Sequence, residues 1–406
     1  MVESSQSTLK KTHIILVALL ILLSVLNNFS LAIASLGFLS IFIVLINALY
    51  YPFLHQLYGG ALPRTIFRIL AVGALLIGAY IIGLVNSGFD QRAWVVVAEL
   101  ILSLSLLISI SIIKWSIRDL KMFGVIFAAF IIFTGLLYVG LPSNVLSGLV
   151  NKNTIGGFIA FLSFWPIVSY LSSDKPIEKR KWFIINLVIL GIIYLIGARS
   201  TWLALAGAAI TYLAWPIIKR SKFRYRAWMF LVLCLIALFI NFYLQLSTMP
   251  IVRELDRIIV EYTGGRLYSG RQYLWPPIIE AIREKPLFGY GASATPSLFL
   301  PTGLSSHNLY LQIAIQVGTL GLLFFVILIW VLWNCFWKGR DNKIVRLSAA
   351  FMVAILIHQL FEVSLTQNNL SIGILQWMII GQGISFSIGS KIPILHKNHS
   401  SLCNVS

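Results

Sequence analysis

The stretch LSSHNLYLQ, residues 304–312, sets His307 and Asn308 directly before an apolar run that reaches Trp337. An imidazole takes up and releases a proton near neutral pH. It suits the task of drawing a proton from a hydroxyl, which is a poor nucleophile until that proton leaves. Two arginines complement it, Arg271 in SGRQYLWPPIIEAIREKPLFGYG and Arg199 in IGARSTWLALAG. A guanidinium keeps its charge and neutralises a departing anion through fixed donors. Nearby guanidinium charge also disfavours the imidazolium form, leaving the ring basic. A base for an incoming hydroxyl and cations for an outgoing anion describe group transfer from a donor that carries its own activation. Each residue also has a plainer reading. His307 could be a wet interfacial residue beside a Ser305 or Ser306 cap. Arg271 could pair with Glu261 or Glu280, and Arg199 could snorkel to lipid headgroups.

No DxD-type pair, HExxH, Walker loop or cysteine–histidine cluster occurs, so neither metal nor cofactor is expected. Arg266, Asn308, Asn153 and Tyr273 are the substrate-binding candidates. Arg266 lies close enough to Arg271 to share its role, and Asn308 could hold the imidazole or an acceptor hydroxyl. Asn151 and Asn153 head an outward loop, where asparagine is also a good helix cap. Glu99 and His358 sit within apolar runs and are expected to make one interhelical hydrogen bond each. Glu362, nearer the outer surface, could orient a neighbour.

The elements that must position these groups are membrane helices. The chain has 406 residues, of which 59% are hydrophobic and 11% charged, with a mean hydropathy of +0.90. Apolar stretches of roughly 17 to 25 residues recur along it, each able to cross a bilayer. The reading is an all-α integral membrane protein of about twelve transmembrane helices, with both termini inside. Helices one to nine occupy 1–245, a large outward loop 246–308, helices ten to twelve 309–388, and a cytoplasmic tail 389–406. The net charge of +18 does not imply nucleic acid. Most of the 31 Lys and Arg, including DKPIEKRK and KRSKFRYR, fall on one side of this topology, as the positive-inside rule requires. Arg199, Arg271 and His307 then share the other side. Cys234 and Cys335 lie in helices and Cys403 in the tail, offering no exported disulfide.

The outward loop is the one soluble-like segment. IVRELDRIIVEY puts Ile251, Leu255, Ile258 and Ile259 on one face, which predicts a helix lying on the membrane surface. Ser269 is a plausible N-cap, placing Arg271 in a first turn where an anion would meet both backbone N–H groups and guanidinium. Pro276 and Pro277 are expected to break or kink that helix, and Pro286 with the glycines of GYGAS to end it.

In order, GARST, SGRQYLWPPIIEAIREKPLFGYG and SSHNLYLQIAIQVGTLGLL resemble the membrane O-antigen ligase and O-antigen polymerase superfamily. The resemblance covers residues 150–330. It implies an all-helical, metal-independent, inverting glycosyltransferase with a large periplasmic loop, in the bacterial inner membrane. The donor it implies is an undecaprenyl diphosphate-linked glycan, and the acceptor lipid A–core or another glycan. By position, Arg199 and Arg271 would bind the diphosphate and His307 would activate the acceptor. Ser200 and Thr201 follow the first arginine where the family often has glycine. Ligase is the leading reading and a polysaccharide polymerase its nearest rival. A small-anion transporter of bicarbonate type is a distant third, because transporters carry polar groups near the bilayer midplane.

Overall fold

The computed structural model describes residues 62–140, 151–246, 249–263, 270–301 and 305–389, with 18–19, 21–24, 39 and 41–43. All regular structure among the described residues is helical. In chain order the helices are α1 (Arg64–Asn86), α2 (Gln91–Ile112), α3 (Ile117–Gly140), α4 (Lys152–Leu162), α5 (Phe164–Leu171), α6 (Pro176–Ile196) and α7 (Arg199–Ile218). They continue with α8 (Lys222–Leu246), α9 (Pro250–Thr263), α10 (Arg271–Glu284), α11 (Leu309–Phe336), α12 (Lys343–His358) and α13 (Leu370–Gly389).

Eight spans among the described residues are long and apolar enough to cross a membrane, with α4 and α5 counted together. The first two expected crossings, 14–29 and 31–50, lie largely outside the described residues, as does the tail. The expected crossing at 182–198 falls on α6, a helix that is not among the eight and whose first turns carry Glu178, Lys179, Arg180 and Lys181. The one expected at 345–365 is shorter. Its helix, α12, has 16 residues and stops at His358.

Helix packing uses small residues to bring backbones together. A Cβ on Gly207 of α7 would meet Ile357 of α12 at 2.2 Å, and one on Gly381 of α13 would meet Ile110 of α2 at 2.8 Å. At the end of the bundle away from Arg199, an aromatic group joins α7, α8 and α11. Tyr225 stacks on Trp333 with centroids 4.7 Å apart, and Trp215 Nε1 donates to Arg340 O at 2.8 Å. Amphipathic aromatics flanked by bases suit a membrane–water boundary.

The apolar run of α11 hides a break. Val317 and Gly318 leave helical geometry, Gly318 at φ 70°. The loop after α10 fills the gap with its own backbone. Tyr290 N donates to Ile315 O at 2.8 Å, Gly291 N to Gln316 O at 3.0 Å, and Thr319 N to Pro286 O at 2.7 Å. Pro286 and the GYG glycines thus do more than end α10: they satisfy polar backbone that a broken helix would otherwise leave unpaired. A Cβ on Gly318 would stand 2.1 Å from Leu287 O, so this approach requires glycine. The far side of the plug is tied to the last turn of α1, where Ala292 N donates to Gly83 O at 2.9 Å.

Candidate functional site

α10 begins at Arg271, with Gly270 as its N-cap in the left-handed region. The expected cap, Ser269, lies outside the described residues. Pro276 and Pro277 do not interrupt the helix, which runs unbroken to Glu284. They are the sixth and seventh of its fourteen residues, and the helix holds because its buried side is anchored: Trp275 is fully buried, packs on Tyr243 at 4.7 Å, and donates through Nε1 to Ser306 O at 3.0 Å. That last bond fixes α10 to the turn that carries His307.

The His307 turn is built from side-chain bonds. Ser306 Oγ donates to Asn308 O at 2.9 Å, and His307 N to Ser305 Oγ at 3.3 Å. The cap of α11 is Asn308, not either serine: its Oδ1 accepts from Leu311 N at 3.1 Å. His307 itself has φ 47°, a left-handed conformation uncommon outside glycine and one that recurs at functional sites. Asn308 is wholly buried, with its Oδ1 committed to the cap.

What faces His307 is a carboxylate. His307 Nδ1 lies 3.6 Å from Glu362 Oε2, an ion-pair separation slightly too long for a hydrogen bond; the imidazole is 30% exposed and the carboxyl 8%. Glu362 belongs to the turn between α12 and α13, residues 359–369. Burial alone pushes its carboxyl up, but the His307 ring, His358 and Arg271 outweigh that and hold it below the usual carboxylate value. The charge that faces the ring at 3.6 Å is thus a carboxylate, a partner the sequence had offered only as a possible orienter.

The same turn holds Arg271. Its Nη2 donates to Phe361 O at 2.6 Å, and its guanidinium lies over the Phe361 ring, 5.4 Å from the centroid. Burial draws the Arg271 value down, Glu362 and Tyr243 draw it up, and Arg199 draws it down again; the net direction is down. Arg271 thus pairs with neither Glu261 nor Glu280. Glu280 instead lies 3.6 Å from Arg283.

Arg199 opens α7 after a hairpin of Gly197 and Ala198, with Gly197 in the left-handed region. It is exposed, and close enough to Arg271 for their charges to repel. Both arginines are thus the first residues of helices, where free N–H groups and the macrodipole already favour an anion. The first turn of α4 meets this hairpin: a Cβ on Gly156 would touch Ala198 Cβ at 2.6 Å. Asn153 lies in that turn, half-buried, its N–H donating to the capping Asn151 Oδ1 at 2.9 Å. Tyr273 is 73% exposed, away from the buried side of α10. Arg266 lies outside the described residues.

The 359–369 turn is irregular backbone in a buried setting, and side chains satisfy it. Gln359 Oε1 accepts from Ser364 N and Leu365 N at 3.1 Å each, and Trp377 Nε1 donates to Leu365 O at 2.7 Å. Glu362 had been legible only as a possible orienter. The polar density of HQLFEVSLTQNN was the signal that α12 ends early and that this stretch supports a site.

Set beside known families, residues 184–326 match a family model described as O-Antigen ligase. The match takes in Arg199, Arg271, His307 and Asn308, and stops short of Glu362. No curated protein matches the chain.

Proposed function

With residues 184–326 placing the chain in the O-antigen ligase-like superfamily, we propose that it is an O-antigen ligase acting at the periplasmic face of the bacterial inner membrane. It transfers a glycan from undecaprenyl diphosphate to a sugar hydroxyl of lipid A–core. The observation that carries this reading is that two adjacent residues hold both halves of the chemistry. Phe361 O binds Arg271 at 2.6 Å, and Glu362 faces His307 at 3.6 Å.

His307 Nε2 takes the proton of the acceptor hydroxyl as that oxygen attacks the anomeric carbon. The bond from that carbon to the diphosphate oxygen breaks, and the electron pair leaves with the diphosphate. Attack opposite the leaving group inverts the centre. Glu362 stabilises the imidazolium that forms and fixes the ring through Nδ1, as an acid partner does for a catalytic histidine elsewhere. Arg271 and Arg199, each at a helix N-terminus, neutralise the growing charge on the diphosphate. Arg266, Asn153 and Tyr273 are the remaining candidates for holding donor and acceptor. Leu255 and Ile258 of α9 are exposed, which fits that helix to the membrane surface beside the donor lipid.

Deleting the gene in its host and displaying the lipopolysaccharide on a gel tests the reading. A ligase leaves bare lipid A–core while polymer accumulates on the lipid carrier. Core bearing a single repeat would instead identify a polymerase, and an unchanged ladder would remove both.

A further inference from the structure

His358, expected to make an interhelical hydrogen bond, makes none through either ring nitrogen among the described residues; it is wholly buried and packs edge-on to Phe161. Enclosed in this way, it offers nothing to a partner. The outward loop departs from expectation in the opposite sense. Between α10 and Ala294 it returns along α11, and it leaves two large apolar side chains uncovered. Leu287 is 61% exposed and Phe288 46%.

Their depth follows from the register of α1 against α11. A Cβ on Gly83 would meet Val317 Cγ1 at 2.9 Å, and one on Gly321 would meet Ala79 Cβ at 3.7 Å. Residues 318–320 therefore lie level with the α1 turn from Ala79 to Gly83. The tip of the loop is bonded to those residues: Thr319 N and Oγ1 donate to Pro286 O at 2.7 and 2.9 Å, and Leu320 N to Leu287 O at 3.4 Å. α1 ends at Asn86, where its apolar run gives way to a turn carrying Ser87, Asp90 and Arg92. The tip thus sits about 5 to 10 Å inside that end, at a rise of roughly 1.5 Å per residue. α1 is among the spans long and apolar enough to cross a membrane. At this depth the exposed Ile81 and Val85 of α1 and Leu323 of α11 face acyl chains and not water. Leu287 and Phe288 extend that apolar surface at the same level.

The backbone of the loop suits such a place, because irregular backbone is tolerated at membrane depth only where its polar groups are satisfied. Pro286 has no N–H, and its carbonyl takes both donors of Thr319. Gly289 N donates to Lys285 O at 3.2 Å, and Tyr290 N and Gly291 N are held by the break in α11. Lys285, just before the tip, is exposed, with its ammonium 4.4 Å from the Tyr290 ring centroid. A cation and an aromatic beside an apolar tip match the phosphate level of a phospholipid layer.

We propose that the Leu287–Phe288 tip is a re-entrant anchor, inserted among phospholipid acyl chains of the leaflet on the Arg271 side, with Lys285 at the phosphates. α10 runs from Arg271 to this tip, so the anchor holds the far end of the helix that presents the guanidinium. The insertion does not depend on any role for His307.

Spin labelling of the full chain in phosphatidylethanolamine–phosphatidylglycerol nanodiscs tests this, with Cys234, Cys335 and Cys403 replaced by alanine. Nitroxides at Phe288→Cys, at Leu323→Cys on the lipid face of α11 and at the exposed Tyr273→Cys are compared. Each is read for collision with oxygen, which concentrates among acyl chains, and with a water-soluble nickel chelate. The oxygen-to-nickel ratio at Phe288 is expected to match that at Leu323 and to exceed that at Tyr273 by about tenfold or more. A ratio nearer to Tyr273 than to Leu323 overturns the proposal, because the tip is then in water. A label that neither reagent reaches overturns it as well, since protein, such as a second copy of the chain, then covers the tip. Should Phe288→Cys fail to fold, Leu287→Cys carries the same measurement.

Discussion

At the residue scale the site rests on division of labour among four side chains. Glu362→Gln keeps the shape of the side chain facing His307 but removes its charge. The expected result is a fall in kcat of about 100-fold or more with little change in KM, read in steady-state transfer kinetics. The same substitution has a thermodynamic consequence. The folded Glu362 value lies below 4.5, so the folded protein binds fewer protons than the unfolded chain through that range. Its contribution to stability is present above 4.5 and lost as pH falls through the lower folded value. Thermal melts on acidification should therefore show a smaller drop in Glu362→Gln than in wild type. Arg271→Lys keeps a cation but loses the planar fork that holds Phe361 O while facing an anion, and should cost about 100-fold in kcat/KM. The sequence made His307 and the arginines legible by residue type and sidedness. It left Glu362 in the background, because 345–365 reads as one apolar crossing with the acid near its outer end, and what the acid faces depends on distant residues.

At the element scale, the His307 turn and Arg271 are set by helices that end or break in particular places. α11 is broken at Val317–Gly318, and the Pro286–Ala294 loop supplies the missing backbone partners. Gly318→Ala would bring a Cβ to 2.1 Å from Leu287 O at a left-handed φ. It should destabilise the protein by upwards of about 3 kcal/mol, seen as a lowered Tm in detergent or as lost expression. Gly191, whose added Cβ meets nothing within 4 Å, is the control, and Gly191→Ala should leave Tm near wild type. The helices themselves were readable: the α6–α7 hairpin at Gly197, the Asn151 cap of α4 and the amphipathic α9 all form where their residues imply. The break was not, since a glycine inside a long apolar run is compatible with an unbroken helix. The prolines of α10 misled for the opposite reason. Their local penalty is real, but Trp275 and Ile278 in the packed interior outweigh it.

At the scale of the whole molecule, helix direction sorts the chemistry to one end. α7 runs from Arg199 to Ile218, and α11 from the His307 turn to Phe336. Arg199, Arg271 and His307 therefore share one end of the bundle, and the basic KRSKFRYR segment lies at the other. A cysteine at the exposed Tyr273 should react with an impermeant maleimide in cells whose outer membrane alone has been opened. One at Phe223, 81% exposed, should react only after the inner membrane is breached. That the two groups lie at opposite ends was legible in the charge distribution, because Lys and Arg bias is a property of composition that packing does not alter; the labelling reads which side of the membrane each end faces. The number of crossings did not follow as simply, since α12 has 16 residues and then gives way to the turn that carries Glu362. The central claim is that this end of the bundle makes a glycosidic bond with His307 as base. The most direct measurement is transfer by the purified protein in nanodiscs, from an undecaprenyl diphosphate-linked glycan to lipid A–core, with wild type and His307→Ala side by side. The account predicts new lipid-A-linked glycan with wild type and a loss of at least about 100-fold with His307→Ala at equal protein and unchanged Tm. Equal product from both would contradict it.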